Sequence, residues 1–199
     1  MPEASVLIVG TNAAAVEADL IAGRLTCPCC EHVLRRWGHA RKRVLHRLRT
    51  EEWLRPRRGI CAGCGATHVL LPEDMLLRRS DDVSVIGAAL TAKAGGSGHR
   101  RIAANLGREP SKVRRWLRCF GLAADRIRAH FTRWAHALDP MLGPVAPAGS
   151  AFADAVAAIG VAARAAVHRL GPRPPWSLAS VLTCGALLAT RNDLWAAPG

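Results

Sequence analysis

The chain has 199 residues, with 28 Lys or Arg against 15 Asp or Glu and a formal net charge of +13. Half of the residues are hydrophobic, which excludes a wholly disordered chain and leaves room for one compact domain or two small ones. A pI near 11.0 favours a polyanionic partner, although an Arg- and Ala-rich composition also reflects a GC-rich genome. The position of the charge along the chain must distinguish these two interpretations.

The N-terminal segment predicts a short strand and one helix. Ser5–Val9 is an apolar run typical of a strand, and Asn12–Gly23 has Ala, Val and Leu at helical spacing after a cap at Thr11 or Asn12. Glu3 stands where a secretory leader carries positive charge. We therefore expect no signal peptide and a cytoplasmic protein, in which thiols are free, catalytic or metal-bound.

The following segment predicts a small antiparallel β module. HVLRRWGHARKRVLHRL is typical of two extended stretches joined near Gly38 and His39. EEWLRPRRGICAGCGATHVLLP is typical of two more, around a tight turn at Cys61–Gly65. Such a polar sheet has little apolar area to bury, so it needs an additional source of stability.

Four cysteines within this module have the spacing of a metal site. Cys27 and Cys30 form one CxxC pair, and Cys61 and Cys64 form a second after thirty intervening residues. Zinc prefers four tetrahedral ligands, and two such turns joined by a hairpin complete its coordination shell. We therefore predict one structural Zn²⁺ per chain, without an open position for catalysis. A thioredoxin-like redox pair and disulfides are the alternatives, which the doubled pair and the cytoplasmic location disfavour.

The remaining cysteines and two nearby histidines leave alternatives open. Cys29 lies inside CPCC and could replace its neighbour as a ligand only with a shorter, strained CxC spacing. His32 and His68 are near enough in sequence to be alternate ligands, although we expect both to be polar strand residues. Cys119 and Cys184 stand alone and are expected in the core.

Positive charge is concentrated in residues 34–60. This stretch holds ten Arg or Lys against Glu51 and Glu52. Trp37 and Trp53 are interleaved with them. Like charges at this density repel one another unless an anion neutralises them, and a phosphate backbone also gains counterion release. A solvated face is the alternative. The DNA contacts that we predict on this ribbon are Arg41, Lys42, Arg43, Arg57 and Arg58.

From Asp82 onward the chain predicts helices. DDVSVIGAALTAKA, capped by Asp81 or Asp82, is followed by GHRRIAANLG and PSKVRRWLRCF, which together have the pattern of a helix-turn-helix. Gly107 ends the first helix of this pair, where the turn needs a positive φ. Ser111, just after Pro110, is the expected N-cap of the second helix.

The second helix of this pair has one apolar and one basic face. Apolar residues, among them Val113 and Trp116, recur at helical spacing and are expected inside. Arginine pairs bidentately with guanine, and a recognition helix places its N-terminal side chains at base edges in the major groove. An ordinary helical pair in a basic protein is the alternative. The DNA contacts predicted here are Arg100, Arg101, Ser111, Lys112, Arg114, Arg115 and Arg118.

The C-terminal part predicts further helices at Gly121–Leu138, Ala151–Leu170 and Trp176–Thr190, with a Pro/Gly linker at about 139–150. The alanine-rich middle helix is expected either to form a homodimer or to pack on its neighbour within one chain. It carries Asp154, Arg164 and His168, and the last helix is shorter than the ~20 residues of a membrane span, so no membrane segment is predicted.

The motifs together resemble a bacterial family of zinc-ribbon plus helix-turn-helix proteins of unknown function. Cys27-x2-Cys30, RPRRGICAGCGATHVLLP and HRRIAANLGREPSKVRRWLRCF carry this resemblance, which continues more weakly through the C-terminal part. Members of this family are often encoded beside insertion-sequence transposases, whose own N-terminal zinc ribbons are similar. The resemblance implies DNA binding linked to mobile elements and no established activity. The third cysteine of CPCC departs from the pattern.

The sequence therefore predicts an α+β protein in which a small antiparallel zinc-ribbon module precedes a mostly helical region. Its parts are a strand and helix (1–25), the zinc ribbon (26–75), the helix-turn-helix (81–121) and a helical region (122–199). No GxSxG, HExxH or Walker motif occurs, so we expect no enzyme. We expect a nucleoid-associated accessory or regulatory factor that binds double-stranded DNA and a transposase or integrase. A protein–protein adaptor and a truncated transposase or nuclease subunit are the alternatives.

Overall fold

A β layer followed by a bundle of helices makes up the structure, a computed structural model that describes residues 5–189. The predicted α+β class is confirmed. In chain order the elements are β1 (Ser5–Val9), α1 (Ala13–Ile21), β2 (Leu34–His39), β3 (Arg43–His46), β4 (Glu51–Leu54), β5 (Arg57–Cys61), β6 (Thr67–Pro72), α2 (Val83–Ala94), α3 (His99–Leu106), α4 (Pro110–Leu122), α5 (Ala124–Leu138), α6 (Ala151–Leu170) and α7 (Pro175–Leu182).

The main sheet is mixed, with the strand order β1-β6-β5-β2. β1 runs parallel to β6, whereas β5 is antiparallel to both β6 and β2. The strands within residues 26–75 pair antiparallel, which confirms the predicted module, and the apolar strand β1 adds in parallel to the otherwise open edge of β6. The helix after β1 belongs to the same layer, since Val16 and Leu20 of α1 cluster with Leu34 of β2.

β3 and β4 form a separate two-stranded hairpin, which gives one strand more than the sequence predicted. The chain leaves β2 through a bulge after Arg36, where Gly38 has a φ of +94°. Leu45 of β3 is fully buried and packs against Leu71 and Met75. The hairpin therefore rests one face on the main sheet, and its opposite face is directed outward.

The helical part has one continuous apolar core. The two short helices predicted around Gly107 are present as α3 and α4, and its φ of +59° is the left-handed conformation expected there. α4 begins at Pro110 with Glu109 as its N-cap, so the predicted cap at Ser111 is wrong. Proline suits the first helical position because it lacks an N–H and has a fixed φ. The largest side chains fully buried in this core include Ile86, Leu90, Ile102, Phe120, Ile127 and Phe131.

The alanine-rich face of α6 packs against α5 within the chain. Ala155, Ala158 and Ala162 are fully buried in the core. Within residues 5–189, α6 is the one helix long and apolar enough to cross a membrane, with a mean hydropathy of 1.4, and 44% of that stretch is buried inside the protein. The core helix of a water-soluble bundle has the same properties. The stripe that suggested a dimer is thus covered by the chain's own α5.

The last described helix, α7, is shorter than predicted. It ends at Leu182 rather than at Thr190, which lies outside the described residues. Cys184 and Gly185 follow with φ values of +49° and +75°, which do not continue a right-handed helix. Cys184 is exposed, so its predicted core position is wrong, whereas Cys119 packs against the core.

Gly87 allows α2 and α7 to approach closely, since the Trp176 ring occupies the space that a Cβ would need. We expect Gly87→Ala to lower the free energy of unfolding by about 1–3 kcal/mol, because the ring must move to admit the methyl group. Urea unfolding followed by circular dichroism measures the change. Gly95→Ala is the matched control, since its methyl group makes ordinary contacts and should stabilise by about 0.4–1 kcal/mol. Unchanged stability of the Gly87 variant would contradict this packing.

Candidate metal centre and basic surface

The two CxxC turns meet beside the main sheet. The sulfur atoms of Cys27, Cys30, Cys61 and Cys64 all lie within 4.8 Å of one another. The sulfurs of Cys27 and Cys64 are 3.8 Å apart, and those of Cys30 and Cys61 are 3.3 Å apart. Cys27 and Cys61 are buried and Cys64 is exposed, so the cluster lies at the protein surface. The structure thus brings together the four cysteines that the spacing predicts.

Backbone hydrogen bonds place the Cys27–Cys30 turn opposite the Cys61–Cys64 turn. The Cys27 N–H donates to the carbonyl of His32, and the Cys61 N–H donates to the carbonyl of Ala66, each at 2.8 Å. The antiparallel pairing of β2 and β5 places Leu34 directly opposite Cys61. The turn at Cys61–Cys64, which follows β5, therefore lies next to the turn at Cys27–Cys30, which precedes β2.

Amide groups point at the first sulfur of each turn. The N–H of Cys29 donates to the sulfur of Cys27 at 3.4 Å. The N–H groups of Gly63 and Cys64 donate to the sulfur of Cys61 at 3.3 and 3.4 Å. The Cys64 amide is the main cause that lowers the pKa of the Cys61 thiol to about 6, which favours the thiolate at neutral pH. Cys29 thus contributes its amide, while its exposed thiol stays outside the cluster.

The donor set fits a tetrahedral thiophilic cation. Metal–sulfur bonds of about 2.3 Å in a tetrahedron place the sulfurs about 3.8 Å apart, close to the separations in this cluster. Thiolates select zinc, copper(I) or iron over hard cations. Across residues 5–189, no other group of three or more Cys, His, Asp or Glu side chains is close enough to share an ion. Four sulfurs leave no position for a reacting ligand, so such a centre stabilises the ribbon.

His68 touches this centre in a way that the sequence did not reveal. Its imidazole is fully buried, with Nε2 3.3 Å from the sulfur of Cys27 and Nδ1 hydrogen-bonded to the hydroxyl of Ser5. Burial lowers the pKa of His68, which keeps the ring neutral at pH 7. The tautomer protonated on Nε2 donates to the Cys27 thiolate and accepts a hydrogen bond from Ser5. Through Ser5, the parallel strand β1 therefore supports the metal centre.

The basic side chains predicted on the ribbon divide into two groups. Arg41 and Lys42 are exposed, and Arg43 is half-buried. Arg57 donates two hydrogen bonds to a glutamate of α1 and lowers the pKa of that carboxyl. Arg58 donates to a threonine of β6. Arg57 and Arg58 are thus engaged within the sheet, whereas Arg41 and Lys42 face solvent.

The basic side chains of α3 and α4 lie mostly on the outside of the helical pair. The exposed members of the predicted set are Arg100, Arg101, Ser111, Arg114, Arg115 and Arg118. Val113 and Trp116 on the opposite face of α4 are buried. Lys112 differs from the others, because its ammonium lies 3.0 Å from a carboxylate oxygen of Asp81.

An ion-pair network, absent from the sequence predictions, joins the tip of the β3–β4 hairpin to the α3–α4 turn. Arg108 lies 2.6 Å from a carboxylate oxygen of Asp81 and donates to the carbonyl of Arg47, also at 2.6 Å. Arg47 in turn lies 2.9 Å from Asp74 and 2.5 Å from Asp82. All three carboxylates are buried. The partners are 27 to 61 residues apart, so no local pattern indicates them.

One known protein family is similar to the part of the chain that contains the cysteine cluster and the α3–α4 pair. A family model described as a domain of unknown function (DUF6431) matches residues 27–116. The matched segment runs from the first cysteine of the cluster to Trp116 in α4, and it includes the hairpin and the ion-pair network. No curated protein and no solved structure matches the chain. The match thus covers β2 to β6, α2, α3 and the first part of α4, and β1, α1 and α5–α7 lie outside it.

Removing one sulfur is expected to abolish tight metal binding. Cys27→Ser or Cys64→Ser should reduce the metal content from about one ion per chain to near zero, because a tetrahedral structural site needs all four ligands. Cys29→Ser is the matched control within the same turn and should keep the ion. Inductively coupled plasma mass spectrometry of the purified proteins measures the content. A fully folded wild-type protein that holds no metal would refute the site.

His68→Ala should weaken the binding of the metal ion although it removes none of the four cysteine ligands. Loss of such an outer contact lowers metal affinity about 10- to 100-fold, so the ion should pass faster to a chromophoric chelator. Ser5→Ala should have a smaller effect in the same direction, since the imidazole stays in place. His136→Ala is the control, because this histidine is exposed on α5. Equal transfer rates for the wild-type and His68 variant proteins would show that the ring only fills space.

Proposed function

We propose that the protein binds double-stranded DNA, with α4 as the recognition helix of a helix-turn-helix. The arginine face of α4 carries this proposal: Arg114, Arg115 and Arg118 are exposed, while the opposite face packs in the core. α4 contains no acidic residue that would neutralise them. Arginine forms paired hydrogen bonds with guanine and with phosphate, so this face suits the major groove.

Two further basic groups extend the proposed surface. Arg100 and Arg101 are exposed at the start of α3, from where the first helix of such a pair contacts phosphates. Arg41 and Lys42 are exposed beside the hairpin. The contacts of Arg108 with the hairpin tip hold these groups in a fixed position relative to α4. A rigid arrangement loses less entropy when all of them engage one DNA molecule.

We infer that the bound ion is a structural zinc, one per chain. Zinc prefers four thiolates in a tetrahedron and has no redox chemistry of its own. Its binding free energy becomes folding free energy in small domains whose site does not exist in the unfolded chain. The proposed zinc therefore contributes to DNA binding by keeping the ribbon folded.

The wider role that we propose is a non-catalytic accessory or regulatory factor of a mobile element, acting on nucleoid DNA in the cytoplasm beside a transposase or integrase. The resemblance of its motifs to proteins encoded near transposases supports this role. The buried carboxylates Asp74, Asp81 and Asp82 are each paired with Arg or Lys. Such pairing orients the hairpin against the helices.

Fluorescence anisotropy with a labelled duplex, at several salt concentrations, tests the proposal. Arg114→Ala with Arg115→Ala should weaken binding, and the slope of log affinity against log salt should fall by about 1 for each of the two arginines that contacts a phosphate. Arg164→Ala with Arg169→Ala removes the same charge from exposed positions of α6 and should leave the slope unchanged.

Three results would contradict the proposal. Zinc-loaded protein that fails to bind duplex DNA at low salt would refute it. Binding to a purified transposase without any affinity for DNA would indicate a protein adaptor. Cleavage of DNA that depends on a divalent cation would indicate a truncated transposase or nuclease subunit.

A further inference from the structure

Two tryptophans of the ribbon are highly exposed. Trp37 on β2 is 55% exposed and Trp53 on β4 is 63% exposed, the highest values for tryptophan within residues 5–189. Trp116, in the helical core, is 2% exposed. Leaving an indole in water forgoes a large burial free energy. Two such side chains on one ribbon therefore indicate a surface that a ligand covers.

The hairpin directs Trp53 away from the rest of the protein. Side chains alternate along a strand, and Leu45 and Leu54 pack toward the main sheet. Val44 and Trp53 form a cross-strand pair, so both lie on the opposite, outer face. The ammonium of Lys42 lies over the Trp53 ring, 4.6 Å from its centroid. This cation–π contact restricts the ring before a ligand arrives and covers one of its faces, so an unpaired base stacks on the other face.

Basic side chains are frequent on the strands that carry the two indoles. The exposed ones on β2, on β4 and in the adjoining connections are Arg35, Arg36, Arg41, Lys42, Arg49 and Arg55, of which Arg36 pairs with Glu17. The two acids of β4 are already engaged, Glu51 with His46 at 2.9 Å and Glu52 with Arg47 at 2.8 Å. The ligand that complements this surface is therefore a polyanion that also offers flat apolar faces.

We propose that the outer face of the β3–β4 hairpin binds single-stranded DNA, with an unpaired base stacked on Trp53 and phosphates held by the basic side chains around it. Sites for single strands combine a positively charged track with aromatic side chains, because every unpaired base has a free face for stacking. In an intact duplex those faces are covered by neighbouring bases. The protein would thus bind DNA in two forms, duplex DNA on α4 and single-stranded DNA on the hairpin.

The outer face of the hairpin continues toward α4. His46 and Glu51 form the next pair on the same face as Trp53. They also line an open cleft whose other wall includes Gly107 and Arg108 of the α3–α4 turn. The hairpin therefore lies beside the turn that precedes α4. A junction at which a duplex continues into an unpaired strand occupies both surfaces at once.

Three labelled probes test this inference with zinc-loaded, full-length protein: oligo(dT), a duplex, and a duplex carrying an unpaired dT arm. Wild-type protein should bind the armed duplex most tightly. Trp53→Ala should weaken binding to oligo(dT) and to the armed duplex about 5- to 100-fold, as loss of one stacking platform does, and should leave the plain duplex unaffected. Trp53→Phe keeps a stacking face and should retain most of the affinity. Met141→Ala removes a 91% exposed side chain elsewhere and serves as the control.

The outcomes separate this inference from the duplex proposal. If oligo(dT) does not bind, or binds equally well to wild-type protein and Trp53→Ala, the inference is wrong while duplex binding stands. If Trp53→Ala lowers oligo(dT) binding but no duplex binds, the α4 proposal fails and the inference stands. Tighter binding of oligo(rU) than of oligo(dT) would overturn the assignment to DNA. A dimer in sedimentation that Trp53→Ala dissociates would assign the indoles to a protein interface instead.

Discussion

Four cysteine sulfurs close enough to bind one cation lie in a part of the chain that has little apolar surface of its own. Two of the six buried members of the apolar cluster under the main sheet are themselves cysteines of the metal site. The remaining four are Val16, Leu20, Leu34 and Leu70. Without an ion, thiolates at such short distances would repel one another, so the metal both neutralises and cross-links them. It fixes both ends of the thirty-residue segment that includes the hairpin.

The ion-pair network extends this constraint to the helices. Arg108 ties the hairpin tip to the turn before α4, and Arg47 ties it to the start of α2. Burying charges is costly unless each is paired, and burial indeed raises the pKa of Asp74 while Arg47 acts in the opposite direction. Such a network contributes less to net stability than to a single relative orientation. The metal centre and the arginine face of α4 thus lie at two ends of one connected scaffold.

Local patterns predicted much of this molecule, and long-range partners account for most of what they missed. The CxxC spacing and the helical periodicity depend on neighbours in sequence, so the cysteine cluster, α2 to α6 and the left-handed Gly107 follow from them. The parallel partner of β1 and the contact of His68 with Cys27 depend on residues far apart in sequence. From the sequence, Arg57 and Lys112 were predicted to be available for DNA, because their acidic partners, Glu17 and Asp81, belong to other elements.

β2 forms an outer edge of the main sheet, and all of its residues except Leu34 are exposed. Such an edge offers unpaired N–H and C=O groups to a strand from another molecule, which is how many β proteins aggregate. The bulge after Arg36 interrupts the regular ladder, and Arg35 and Arg36 place like charges along it. The basic edge therefore also works against strand addition between copies, because two such edges repel each other and the protein stays dispersed.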